Sequence, residues 1–106
     1  MEKRKQKRLE AAGWQLGSAA DFLGLSESEA QLVEMKLALS AQLRTTRQRR
    51  HLTQTALAKR LGSSQSRVAK MEAGDPSVSL DLLVRGLLAM GATPKDIART
   101  LSIRAA

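Results

Sequence analysis

The run from Leu52 to Gly74, LTQTALAKRLGSSQSRVAKMEAG, constrains this chain more than any other stretch. Leu57, Ala58 and Leu61 stand at i, i+1 and i+4, which makes one apolar face of a helix. Gly62 follows, the residue that enters left-handed backbone at least cost, so the helix should stop there. Ser63 or Ser64 offers a capping hydroxyl to a second helix, with Val68 and Met71 facing inward at i and i+3 and Gly74 closing it. At about 100° per residue, with Val68 as origin, Ser66 and Lys70 fall on the opposite side. Arg67 and Ala69 flank them, and Gln65 lies near the leading end. That outer face carries an amide, two cations and small residues, with no bulky hydrophobe. Such a face suits a DNA major groove, where amides and cations meet base edges and phosphates.

These residues carry a resemblance. Gln54, Leu57, Ala58, Leu61, Gly62, Ser63, Val68, Met71, Glu72 and Gly74 fill their places as in the helix-turn-helix of the Cro and phage-repressor (XRE) family. The similarity runs from about Glu29 to Leu101. The segment from Leu9 to Leu43 and the run RVAKMEAGDPSVSLDLL also resemble small antitoxin-like (HigA-type) regulators of that family, found beside mRNA-cleaving toxins. The resemblance implies an all-α fold: a compact five-helix, lambda-repressor-like DNA-binding domain over residues 26–104. Residues 1–25 would form a basic arm and a short helical extension.

Charge agrees with a nucleic-acid partner once it is divided by region. The chain has a net charge of +8. Residues 1–8 contribute +4 and residues 9–42 contribute −4. Residues 43–70 hold eight cations and no acid, giving +8, and residues 71–106 sum to zero. The positive field is thus concentrated on the helix-turn-helix and the helix leading into it, where phosphates would lie.

The 106 residues allow one domain with a modest core. With only 2% aromatics, Leu, Val, Ala and Met must fill that core. The absence of Cys excludes disulfides and thiolate chemistry. No apolar run approaches the roughly 18 residues of a membrane span. Met1–Arg8 is basic but no signal-peptide hydrophobic segment follows, so a cytoplasmic location is expected.

Along the chain, Met1–Arg8 reads as a solvated tail or as a basic arm reaching DNA. Ser18 and Asp21 resemble a capping box opening a short helix stopped by Gly24. Ser26 and Glu29 form a better one, launching a long helix to about Arg50. Leu32, Met35, Leu39 and Leu43 lie on one side of it, and Ala30, Val33, Leu37 and Ala41 roughly opposite. A helix with two apolar faces must be covered twice. The motif's core should cover one face. Trp14, Leu16, Phe22 and Leu23 are nearest for the other, with a partner subunit or toxin as the competing cover. Further on, Ser79 should cap a helix with Leu80, Leu83, Val84, Leu87 and Leu88 on a wide apolar face, ended by Gly91. Thr93, Pro94 and Asp96 then mark the start of a last helix.

The resemblance assigns roles to particular residues. Gln65, Ser66 and Lys70 would read bases, glutamine suiting adenine and lysine guanine. Gln54, Ser64, Arg67, Arg49, Arg50 and Lys59 would meet phosphates, Gln54 while also bracing the reading helix. Arg47 would bridge to Glu72 and set the angle between helices, while Gly62, Leu57, Ala58, Leu61, Val68 and Met71 hold the fold. No catalytic, cofactor-binding or metal-binding residue is expected: there is one histidine, His51, no phosphate-binding glycine loop, and the acids are scattered as helix caps. The expected partners are double-stranded DNA, with a palindromic operator, and a second copy of the chain. The dimer seam would lie on the last two helices or on the N-terminal segment. An antitoxin that masks a ribonuclease toxin is the alternative, and a basic amphipathic protein on an anionic membrane is a third reading that leaves the Gln54–Gly74 pattern unexplained.

Overall fold

A computed structural model describes Gly24 and residues 26–105. Five helices are found among them: α1 (Glu27–Arg49), α2 (Gln54–Leu61), α3 (Gln65–Ala73), α4 (Leu80–Ala89) and α5 (Pro94–Ala105). The expected all-α architecture is met among these residues, with no strand. The short helix expected before Gly24, and the aromatic residues Trp14 and Phe22 with Leu16 and Leu23, lie outside the described residues.

The chain divides between Glu34 and Met35 into two units. In the first, the described residues are Gly24, Ser26 and the start of α1. The Glu29 backbone N–H donates to Ser26 Oγ at 3.2 Å and the Ser26 backbone N–H donates to Glu29 Oε1 at 3.1 Å, a reciprocal cap. Leu32 is 45% exposed.

The second unit contains the rest of α1 and the four shorter helices. Its core is aliphatic: Leu39 and Leu43 from α1, Leu57 and Ala58 from α2, Val68 and Met71 from α3, Leu83 and Leu87 from α4, with Val78 and Met90 from the connections. Leu52, Leu61, Ile97 and Leu101 pack half-buried around it. On α1 the inward arc also takes in Ala38, Ser40 and Thr46, so it is built partly of small residues. Ala41 and Leu37 are exposed.

Each short helix begins at a hydroxyl that accepts a backbone N–H: Thr53 from Ala56, Ser64 from Arg67, Ser79 from Leu82 and Thr93 from Asp96. Helix α2 ends at Gly62, whose φ of 62° lets the Ser63 N–H return to the Ala58 carbonyl at 2.9 Å. The end of α1 has no glycine. His51 takes the left-handed conformation instead, with φ of 56°. Two backbone bonds hold it: His51 N–H to the Gln48 carbonyl and Leu52 N–H to the Arg47 carbonyl. The sequence carries no glycine signal for this turn; the return bonds around a non-glycine residue make it.

Glycine serves a different purpose at Gly86, which is buried in α4. A Cβ there would stand 2.8 Å from Leu43 Cδ1 and 3.1 Å from Met71 Cε. The missing side chain is what lets α4 approach α1 and α3 so closely.

Candidate nucleic-acid interface

The two helices joined at Gly62–Ser64 are held by a core on one side and left open on the other. Val68 and Met71 of α3 are fully buried, at 0% exposure. Gln65, Ser66, Arg67 and Lys70, on the same helix, are exposed, and Ala69 is half-buried. On α2, Leu57 and Ala58 are buried while Lys59 and Arg60 are exposed, and Leu61 is half-buried. Helix periodicity alone would allow this separation; the packing of Val68 and Met71 against α1 and α4 residues enforces it.

A chain of polar contacts runs from the interior to that open face. Arg47, on α1, forks onto Glu72, near the end of α3: Nε donates to Oε2 at 2.5 Å and Nη2 donates to Oε1 at 3.0 Å. The third direction of the guanidinium is used by Nη1, which donates to the Leu52 carbonyl at 2.9 Å. The side chains are only 14% and 5% exposed. Their pairing holds the arginine's pKa above its ordinary value, through the hydrogen bond to Glu72. Gln54, the first residue of α2, donates from Nε2 to Glu72 Oε1 at 3.2 Å. Its own carbonyl oxygen accepts from Gln65 Nε2 at 2.6 Å. Hydrogen bonds thus run unbroken from the ion pair outward, and Gln65 leaves the protein surface with its amide already oriented.

The N-terminus of α3 is built alongside. Ser64 Oγ accepts from the Arg67 N–H at 3.2 Å and exchanges a hydrogen bond with Ser66 Oγ at the same distance. Exposed hydroxyls, amide and cations thus converge on the first two turns of α3, with no acid among residues 43–70 to oppose them.

Arg49 and Arg50 are placed elsewhere. They lie at the end of α1 beside α5, lining a groove with Asp96 and Arg99. The guanidinium of Arg50 lies over Gly91, close enough that a Cβ there would be 3.2 Å from Nη2. His51, missed as a conformational feature by sequence reasoning, is exposed in the short connection between α1 and α2.

The model of a helix-turn-helix domain family matches residues 38–100, which is more than half of the chain. The chain belongs to that family. No curated protein and no solved structure was found to match it. In this helix-turn-helix protein the matched segment begins within α1 and runs into α5, so it takes in the whole core, the Arg47–Glu72 pair and the open face of α3. A helix-turn-helix is a DNA-binding motif whose second helix lies in the major groove. Here that second helix is α3. No helix among the described residues is long and apolar enough to cross a membrane.

Proposed function

We infer that this helix-turn-helix protein is a sequence-specific transcriptional regulator, a repressor, that inserts α3 into the major groove as a homodimer. The observation that carries the reading is the line Arg47–Glu72–Gln54–Gln65, which ties an exposed amide at the head of α3 to an ion pair in the interior. A solvated helix face has no use for such bracing. A base-reading glutamine does, because a bidentate contact to adenine needs a fixed amide plane.

In this reading Gln65, Ser66 and Lys70 meet base edges. Gln54, Ser64, Arg67 and Lys59 meet phosphates, and Arg49 and Arg50 add to the positive field at the end of α1. Gln54 has a double part: its amide spans Glu72 and Gln65 while it stands at the first position of α2, where backbone N–H groups favour an anion. One copy reads few base pairs, so two copies on a two-fold operator, with half-sites about 34 Å apart, supply the specificity.

Selection of bound duplexes from a random pool, followed by titration against the recovered site, tests this. A palindromic preference is expected, with affinity falling about 10³–10⁵-fold between 50 and 200 mM salt for 6–10 phosphate contacts in the dimer. Equal affinity for the selected and scrambled duplexes would refute it.

A second role, as an antitoxin that masks a small ribonuclease toxin and represses its own operon, is favoured by the apolar residues left open on α1, Leu32 and Leu37. Co-purification with the product of a neighbouring ribonuclease-like reading frame tests it, and a lone gene with no such neighbour counts against it.

A further inference from the structure

On the side of the second unit where α1 meets α5, the fold leaves a groove of about 440 Å³. That volume falls within the range of small-molecule sites, roughly 300–1,000 Å³. Its lining is mixed: Ala38 and Leu87 are buried and Ile97 is half-buried, beside the hydroxyls of Thr46 and Thr100 and the Gln42 amide, which donates to Thr46 Oγ1 at 3.1 Å. Its rim is cationic. Arg49 and Arg50 come from the end of α1 and Arg99 from α5, against a single carboxylate, Asp96.

That carboxylate is already engaged. Asp96 Oδ2 accepts the Thr93 backbone N–H at 2.9 Å, which closes the cap of α5. Its other oxygen is 3.8 Å from Arg99 Nη1, a long contact between two exposed side chains. The carboxyl is held below its ordinary pKa chiefly by the Thr93 bonds, with smaller contributions from the charges of Arg99 and Arg49. One acid occupied as a helix cap cannot neutralise three guanidinium groups. Arg50, meanwhile, is exposed, with its guanidinium lying over Gly91.

We propose that this groove is a binding site for a small anionic ligand with an apolar body, the anion held by Arg49, Arg50 and Arg99 and the body seated on Ala38, Leu87 and Ile97. Three planar guanidinium groups along the lining favour a carboxylate, sulfonate or phosphate, which each can meet with two parallel hydrogen bonds. A bare inorganic anion would leave the apolar part of the lining, Ala38, Leu87 and Ile97, uncovered. The site stands on these residues alone and does not depend on the DNA reading.

Fluorescence titration of the full chain with 1-anilinonaphthalene-8-sulfonate, an aromatic sulfonate, tests it against the neutral probe N-phenyl-1-naphthylamine. One saturable sulfonate site per chain is expected, with the neutral probe markedly weaker. Arg99→Gln should weaken the sulfonate about tenfold or more, as loss of a charged hydrogen-bond donor does. Ala41→Trp, which fills the groove from an exposed position on its wall, should abolish it. Leu88→Ser, at an exposed apolar residue outside the groove, should leave it unchanged. Equal binding of the two probes, or sulfonate binding that survives Ala41→Trp, overturns the proposal. So does a wild-type chain that takes up no probe while Ala41→Trp breaks a dimer in sedimentation, for the groove would then belong to a second copy.

Discussion

Removing Arg47 is the sharpest perturbation the fold offers. Its guanidinium makes two hydrogen bonds to Glu72 and a third to the Leu52 carbonyl, at 14% exposure. Arg47→Ala leaves the Glu72 carboxylate, 5% exposed in the intact pair, with only the Gln54 amide to answer it. Breaking a buried pair on one side costs about 3–5 kcal/mol, since an uncompensated charge stays in the interior. For a domain of this size each kcal/mol lowers Tm by about 4–8 °C, so a loss of at least about 12 °C is expected. Replacing Arg47 and Glu72 together by methionine removes both charges, and most of the loss should return, because apolar replacement of a whole buried pair is often neutral. Thermal unfolding followed by circular dichroism, on the two variants side by side, measures this. A fall of less than about 4 °C for Arg47→Ala, or a double variant no better than the single, would refute the claim that the pair is held in the interior. The raised pKa of Arg47 adds no pH dependence under ordinary conditions: a cation with a raised pKa keeps its contribution until pH rises through that value, above the working range.

Other expectations follow from individual sites. Lys70→Ala should lower affinity for the selected operator and relax discrimination at one base position by about 1–3 kcal/mol, whereas Lys59→Ala should weaken all duplexes alike and reduce the salt slope by about one; identical profiles for the two variants would contradict the division into base and phosphate contacts. Gly62→Ala meets open space but must keep a φ of 62°, so it should cost about 1–2 kcal/mol, and Gly62→Asn should cost less. Gly86→Ala has ordinary backbone but meets Leu43 and Met71, so overpacking of about 1–3 kcal/mol is expected, and asparagine there should be worse than alanine. Denaturant midpoints that rank asparagine alike at the two positions would show that the two glycines are not needed for different reasons. Glu29, Asp75 and Asp96 are held below the ordinary carboxylate range by hydrogen bonds from Ser26, Ser77 and Thr93. A carboxyl lowered in this way stabilises the fold above its unfolded value of about 4, and the contribution is lost as pH falls through its folded value. Tm should therefore drop on acidification below about pH 4, and by less in Asp96→Asn; the same drop in both proteins would argue against the Thr93 cap as a source of acid sensitivity.

Read by itself, the chain determined the features that depend on neighbours a few positions apart. Hydroxyls at Ser64, Ser79 and Thr93 lie just before apolar helical patterns, and Gly62 and Gly74 lie just after them, because caps are local chemistry. The block of cations over residues 43–70 is likewise a property of composition. The association of Arg47 with Glu72, 25 positions away, came from likeness to a family and not from spacing, since no helical period links two different helices. That Gln54 braces α3 came from the same likeness, while the left-handed turn at His51 and the cationic groove between α1 and α5 had no signal in the order of residues at all. These depend on where Val68 and Met71 of α3 and Leu87 of α4 seat two helices against Leu39 and Leu43 of α1, and only burial in a shared core settles such distances.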